Sequence, residues 1–384
     1  MYDLQTLIFY AKEKNTSDVH LTVGLPPMLR IDGELRTHGD VPLTEQDVQD
    51  AAQQLADEHQ LHELKTIGES DFAVTFVDSV RMRCNLFRQQ HHTALALRLL
   101  PMEIPTAEQL RLPDIIIQQA EKPRGLVIVT GPTGSGKTTI MAWLLSQVPD
   151  NRRLITIEEG SREFDLVKRD ENGNILNSVV HLLTRPSENP SLNINQDFLL
   201  ERVLRKHPDV IGVGEMRSAA ESLSAAESSR TGHTVCTTIH SNSCASTYRR
   251  MMTLAKRKYM MGDDVLMQIM VEAYPIIVFT KQLEDRSRKI MEIIEGECCE
   301  GERLIYRTLY SYNVLDNTVD ADGRPLVVGR HKKVSEMSSS LQKRLLDNGI
   351  SHKELDEFLE HDKEVLNGCR GFTSYASPSS PLDS

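Results

Sequence analysis

The segment Gly131-Pro132-Thr133-Gly134-Ser135-Gly136-Lys137-Thr138 fills the pattern G-x-x-x-x-G-K-[ST] at every fixed position. It follows the apolar run Leu126-Val127-Ile128-Val129 and precedes the helix-prone Thr139-Ile140-Met141-Ala142-Trp143-Leu144-Leu145. A strand, a glycine-rich loop and a helix in that order impose an α/β layering, because the loop functions only where a buried strand delivers it to a helix N-terminus. The residue types then point to a nucleoside triphosphate. Glycines let backbone N–H groups turn inward around phosphate oxygens, Lys137 neutralises the β and γ groups, and the Thr138 hydroxyl holds Mg²⁺. The expected binding set is Gly131, Pro132, Thr133, Gly134, Ser135, Gly136, Lys137, Thr138 and Thr139. A glycine-rich turn without nucleotide is the bland alternative, and the flanking strand and helix speak against it.

A chain of 384 residues is long for one core, so two domains plus an extension are expected. Its formal net charge of −11, with no strongly basic block, argues against a protein whose main work is gripping a nucleic-acid backbone. Met1 to Lys14 contains Asp3 and Glu13 and lacks the basic start and apolar stretch of a secretory signal. No run approaches the roughly eighteen apolar residues that a membrane-spanning helix needs. The six cysteines are scattered without a C-x-x-C pair, which fits reduced thiols and speaks against a zinc site.

From Tyr2 to about Leu100, helix and strand patterns alternate. An amphipathic opening helix (Leu4, Leu7, Ile8, Ala11) leads to strands at Val19–Val23 and Met28–Ile31 and an Asp32-Gly33 hairpin signal. One helix is expected from Thr44 to about Leu64, then strands around Asp71–Phe76, Arg81–Phe87 and Ala94–Leu100. These give a small α/β domain over 1–100, and Pro101, Pro105 and Pro113 punctuate a linker over 101–113. Beyond it, strands at Leu126–Val129, Arg153–Ile157, Val210–Val213 and Thr234–Thr238 alternate with helices, including Gln196–Lys206 and Ala219–Arg230. Helical segments at Ala245–Lys258 and Asp263–Ala273 and strands at Ile276–Phe279 and Lys289–Ile294 complete a domain over 114–300. This order implies a mostly parallel sheet with ligands at its carboxyl edge. An insertion between Phe164 and Arg185 has a hairpin-like centre at Asp170–Asn174. Residues 301–370 are expected to form a C-terminal extension that docks a partner, and 371–384, rich in Ser and Pro, a disordered tail.

Three clusters fall where strands end. Ile155-Thr156-Ile157-Glu158-Glu159 puts two carboxylates at one tip, with Glu158 suited to prepare an attacking water and Glu159 to face the metal through its hydration shell. Val210-Ile211-Gly212-Val213-Gly214-Glu215 is a Walker-B type strand closing on Glu where Asp is usual, and the longer side chain suits water-mediated contact to the metal. Thr231-Gly232-His233 and Thr238-Ile239-His240 place imidazoles at both ends of the next strand, where a neutral ring can sense the γ-phosphate or bridge to a neighbouring subunit. In the first domain Arg81, Arg83, Arg88 and Arg98 sit on or beside successive strands, with Arg81 and Arg83 on one face. Such arginines are candidates to meet transition-state charge; exposed strand arginines are the alternative.

These motifs together resemble those of the type II/type IV secretion ATPase superfamily, which includes pilus and conjugation motors. Ser17-Asp18-Val19-His20-Leu21, with Gly24 to Gly33, is similar to the N-terminal signature of its PilT-like branch, and Arg81–Phe87 and Leu97–Pro101 resemble its arginine strands. Ile155–Glu159, Asp209–Arg217 and Thr231–Asn242 resemble its Asp, Walker B and His boxes, while Glu159–Leu166 and Phe279–Asp285 look more like the Tad/CpaF and conjugative branch. The resemblance implies a RecA-like P-loop core with a smaller PAS-like α/β N-terminal domain. It also implies hydrolysis of ATP with Mg²⁺ and arginines (Arg81, Arg83, Arg98) reaching a nucleotide at a domain or subunit boundary. The partners it implies are five further copies in a homohexamer and inner-membrane secretion or pilus platform proteins. The chain would then be cytoplasmic, peripheral on the membrane, with no direct nucleic-acid partner. There is no tetracysteine insertion, and the Ala-Ile-Arg-rich helix of retraction motors is absent after Tyr312. The expectation is therefore a conjugative or type IV secretion ATPase, with pilus assembly, a retraction ATPase and a nucleic-acid translocase as alternatives.

Overall fold

The computed structural model describes residues 3–31, 33–77, 80–89, 92–100, 104–110, 112, 127–160, 162–163, 165–185, 187, 192–230, 233–300, 303–320, 323–347 and 350–367. The expected 371–384 tail lies outside them, as do Pro101 and Pro113 of the expected linker. Two compact units emerge: Met1–Ile104 with Glu158–Asp165 and Leu183–Asn195, and Pro105–Ile157 with Leu166–Leu182 and Gln196–Ser384.

The first unit is built on an antiparallel sheet of β1 (Asp18–Thr22), β2 (Met28–Ile31), β3 (Glu34–Thr37), β4 (Glu69–Phe76), β5 (Val80–Gln89) and β6 (His92–Leu100). Their order is β3-β2-β1-β6-β5-β4. Period-two alternation in β5 buries Val80, Met82, Cys84 and Leu86 and turns Arg81 and Arg83 to the opposite face. The buried residues meet Leu4, Leu7 and Ile8 of α1 (Leu4–Glu13), Val48 and Leu55 of α2 (Glu45–Leu55) and Leu64 of α3 (Glu58–Thr66) in one core. The single helix expected over 44–64 is two helices. Ala56 is extended, and Asp57 opens α3 with a capping box to Gln60 that satisfies amides a continuous helix would have bonded within itself.

The second unit opens with a single turn, α4 (Ala107–Leu110), and then β7 (Val127–Thr130), α5 (Lys137–Ser146), β8 (Arg153–Glu158), β9 (Ser178–Leu183), α6 (Gln196–Val203) and β10 (Val210–Val213). It continues with α7 (Ala219–Arg230), β11 (Thr234–Ile239), α8 (Cys244–Ala255), α9 (Asp263–Ala273), β12 (Ile276–Gln282), β13 (Arg288–Glu300), β14 (Arg303–Val319), β15 (Pro325–Lys333), α10 (Ser339–Asp347) and α11 (His352–Asn367). Among the described residues the strands form one sheet in the order β15-β14-β13-β12-β7-β11-β10-β8-β9. From β12 to β8 neighbouring strands run parallel, and from β12 to β15 they run antiparallel. Residues 303–333, expected beyond a boundary at 300, thus lie in the same sheet as the P-loop strand. The insertion closes as a turn in which Asp170 N–H donates to Asn174 O at 3.0 Å, flanked by an Arg169↔Ile175 bridge.

Because β7, β8, β10 and β11 run parallel, their carboxyl ends share one edge of the sheet, and the residues that follow those ends define a site.

Candidate nucleotide site

The loop between β7 and α5 is shaped by what its glycines permit. A Cβ on Gly131 would lie 2.3 Å from Thr280 O and 2.5 Å from Ser135 Oγ, so no other residue fits against β12. Gly136, at φ +86°, is left-handed and forms the N-cap of α5 without any side-chain cap. By contrast α2, α3 and α8 each carry a capping box. The first amides of α5 therefore have no side-chain acceptor, which is the condition for taking an anion. Thr280 Oγ1 donates to the Thr130 carbonyl at 3.2 Å and lies 3.0 Å from Ser135 Oγ, bracing the loop from β12.

Glu215 follows β10 by two residues and is held there from three directions. Gly214 N–H donates to Ile157 O and Met216 N–H to Thr238 O, both at 2.9 Å, and Thr238 Oγ1 donates to Gly214 O at 2.7 Å. The carboxylate is 14 % exposed and faces three basic groups. Arg217 donates to Oε2 at 3.0 Å, Lys137 Nζ lies 3.7 Å from the same oxygen, and His240 Nε2 lies 2.9 Å from Oε1. That last approach is close but not aligned as a hydrogen bond, so Oε1 is buried without a hydrogen-bond partner. His240 Nδ1 lies 3.2 Å from the Gly131 carbonyl, which can only accept, so the neutral ring carries its proton on Nδ1. Burial, and then the Lys137 charge, hold His240 below the usual histidine range despite the pull of Glu215.

A second layer fixes this loop. Glu221 accepts from the backbone N–H groups of Arg217 and Ser218 at 2.6 and 2.8 Å, and burial raises its carboxyl above the usual range. Gln196, at the start of α6, donates its amide to Glu221 at 2.8 Å and to the main-chain carbonyl of Glu215 at 3.2 Å in the orientation that satisfies both.

The other expected residues are distributed as follows. Glu158, the last residue of β8, is 2 % exposed, and its carboxylate accepts from the backbone N–H of Glu163. Glu159 beyond it is exposed. His233 is not brought to this edge: it precedes β11 whereas His240 follows it, and six strand residues separate the two by about 20 Å. The arginines belong to the first unit and are engaged there. Arg83 Nε and Nη2 fork onto Asp71 at 3.1 and 2.6 Å, which raises its basicity, with Glu163 at 3.8 Å. Arg98 donates to Asp18 at 2.9 Å. Arg81 donates to the Arg162 carbonyl, and burial followed by the Arg162 charge lowers its basicity.

Arg288 is the residue that motif analysis passes over. Its Nε donates to the Gly134 carbonyl at 2.7 Å, and its Cδ would lie 3.2 Å from a Cβ on Gly136. Gln282, its register partner across the β12–β13 hairpin, also lies near Gly134, with Oε1 3.4 Å from a Cβ placed there. The only signal in the sequence is a polar hairpin after an apolar strand; that β12 neighbours β7 cannot be read from it.

The family model described as Type II/IV secretion system protein matches residues 3–342. The chain belongs to this family. The type IV pilus retraction ATPase PilT of Pseudomonas aeruginosa is 31% identical over 252 residues, 65% of this chain and 70% of that relative. A solved pilus retraction motor PilT with bound ADP aligns with a TM-score of 0.63 at 24% identity, covering 96% of this chain and 91% of that one. The ATPase DotB of Legionella pneumophila aligns at 0.60 and 22% identity, over 94% and 87%. At these identities the two structures establish the fold, an N-terminal domain and an ATPase core. This secretion-family chain is a nucleotide-binding ATP hydrolase. No helix among its described residues is long and apolar enough to cross a membrane.

Proposed function

We propose that the chain is the Mg²⁺-dependent motor of a type IV pilus or type IV secretion machine. In this reading it works as a homohexameric ring at the cytoplasmic face of the inner membrane, against integral platform proteins. One observation carries it: Glu215 keeps a buried, unbonded oxygen beside the P-loop lysine at the tip of the adjoining strands. Uncapped α5 amides, the Lys137 ammonium, the Thr138 hydroxyl and that oxygen fit a triphosphate with a hydrated hard cation. Bound Mg²⁺ would neutralise phosphoryl oxygens as charge moves between them.

The chain's own groups do the rest. Lys137 leaves Glu215 for phosphate, and the amides from Gly134 to Thr138 orient the chain of phosphates. Glu215, with Glu159, would hold a hydrated cation through its water, and Glu158 would take the proton of the attacking water. Arg81, Arg83 or Arg98 supplies a guanidinium to the transferring group. His240 reports the occupancy of the site through Gly131, and His233, at the far strand end, faces a neighbouring copy. Closure and reopening around the nucleotide deliver the energy as domain motion.

The test is steady-state ATP turnover with nucleotide binding measured separately. Lys137→Ala should lose binding, and Glu215→Gln should bind nucleotide yet turn over about a hundredfold more slowly. A Glu215→Gln protein with undiminished turnover removes Glu215 from the reaction, and with it this account.

Within that class the motif pattern favours a conjugative or secretion motor. A second reading, pilus retraction, is supported by the 31% identity to the Pseudomonas aeruginosa retraction ATPase. Restoring pilus retraction in a strain that lacks its own retraction ATPase, and failing to do so with Lys137→Ala, would select it.

A further inference from the structure

One surface of the second unit has a composition unlike the rest of the chain. Residues 249–262 read Arg-Arg-Met-Met-Thr-Leu-Ala-Lys-Arg-Lys-Tyr-Met-Met-Gly, five cations and no carboxylate in a chain of formal net charge −11. They begin on α8, which buries Met251, Leu254 and Ala255. Arg249, Arg250, Thr253, Lys256 and Arg257 are exposed, at positions that share one face of a helical turn pattern. The chain then turns toward α9, and on the way Met260 is 105 % exposed, so nothing packs over it. Lys256 has a local counter-charge in Asp263 at 2.5 Å, and Lys258 lies near the ring of Tyr259 and the charge of Asp197. The side chains of Arg249, Arg250 and Arg257 have no ion pair or hydrogen bond among the described residues.

We propose that this face docks the motor on anionic lipid headgroups, with Met260 entering the interface. Guanidinium groups match phosphate oxygens in a forked geometry that needs no groove. An acidic peptide would be gripped along a cleft, whereas a side chain as uncovered as Met260 marks a convex tip, which suits a lipid surface. Cations flanking an exposed apolar side chain are the composition of an interfacial anchor. Each cation adds roughly fivefold to partitioning onto an anionic surface, so the three unpaired arginines together are worth about a hundredfold. The proposal rests on reading the chain as a membrane-peripheral motor, and it is tested apart from ATP turnover.

The experiment is flotation of the full chain with vesicles of phosphatidylcholine alone or mixed with phosphatidylglycerol. The wild-type chain should bind the anionic vesicles and not the neutral ones, less so as salt rises. Arg249→Gln/Arg250→Gln/Arg257→Gln should bind about a hundredfold more weakly, and Met260→Ser several-fold more weakly. Both variants should keep wild-type ATP turnover without vesicles, which shows that they fold. Equal binding to both vesicle types, or a triple variant that binds as well as wild type, overturns the proposal. So does a wild-type chain that ignores vesicles but binds polyglutamate, or self-associates, through the same arginines; the partner is then a protein. Loss of turnover in every protein, wild type included, would instead count against the motor reading and leave the lipid measurements standing.

Discussion

The charged groups of the two units are satisfied to different degrees. In the first unit the candidate arginines are spent: Arg83 forks onto Asp71, Arg98 holds Asp18, and Arg81 holds a carbonyl. In the second, Glu215 Oε1 has no hydrogen bond, Lys137 stands 3.7 Å from its carboxylate, and α5 begins without a side-chain cap. An unsatisfied buried group is costly in isolation, so it marks where a ligand is awaited. A saturated arginine gains from a phosphate only what exceeds the partner it gives up. The P-loop unit is thus prepared in advance, and under the proposed mechanism an arginine would complete the site only by exchanging contacts.

That contrast ranks the arginines. Arg98 is exposed, with a carboxylate partner, a pair worth about 1 kcal/mol or less. Arg81 is the poorly compensated one, its charge opposed by burial and by Arg162 and met by a carbonyl rather than a carboxylate hydrogen bond. Arg81→Ala should therefore lower kcat about a thousandfold or more, the scale of an arginine that meets transition-state charge, and Arg98→Ala less than threefold. Single-turnover hydrolysis with saturating ATP reads this directly. Equal losses from both would break the contrast.

Within the prepared unit, the next effect separates binding from chemistry. Lys137→Ala should raise the dissociation constant for ATP by about a hundredfold or more, while Glu215→Gln should change it less than threefold and lower kcat about a hundredfold. Isothermal titration beside turnover would show a mixed outcome, in which Glu215→Gln binds ATP much more tightly because Lys137 is freed. That would assign Glu215 the further role of holding the lysine in the empty site.

How much of this could be read in advance depended on whether a feature is local. The P-loop, the strand leading to Glu215 and helices 219–230 and 263–273 follow from runs whose period and punctuation are contained in the run itself. The break at Ala56–Asp57 was also local, an Asp57-x-x-Gln60 cap hidden within a continuous helical period. Strand β3 was missed because all four of its residues are exposed, leaving no alternation to detect. The place of Arg288 beside the P-loop depends on strand order, which no short window encodes, whereas His233 and His240 at opposite ends of one strand follow from the run between them. The basic face that begins on α8 forms no single run, because its cations are split between 249–250 and 256–258.

His240 gives a smaller, pH-dependent effect. Its basicity is depressed, so at pH 7 the ring is neutral, and protonation falls on the acid side of the ordinary value of about 6.5. Once protonated, the ring would bring a full positive charge to Glu215, with Nε2 2.9 Å from Oε1, and compete with a hydrated cation for that oxygen. Turnover should fall several-fold as pH drops from 6.5 toward 5.5, and a His240→Asn protein, whatever its own rate, should lose that acid limb. An unchanged limb would assign the titration to another group.

The smallest effect probes the loop from behind. Arg288 touches the P-loop through a charge-assisted bond to the Gly134 carbonyl, on an exposed side chain, so solvent screening trims its worth to about 1 kcal/mol, or roughly fivefold. If that bond keeps the Gly134 peptide turned so that the amides of the loop face inward, Arg288→Ala should raise KM for ATP about fivefold with kcat within twofold. Arg288→Lys should recover part of the loss, because an ammonium can reach the same carbonyl and the aliphatic stem beside Gly136 is kept, but the planar fork is lost. Asp285, in the turn of the same hairpin, accepts from Val327 N–H of β15 at 3.1 Å, so Asp285→Asn should reproduce a weaker form of the KM effect by loosening the hairpin. A KM that ignores both substitutions would show that the loop is set by Gly131, Ser135 and Thr280 alone, and that its preparation owes nothing to the antiparallel half of the sheet.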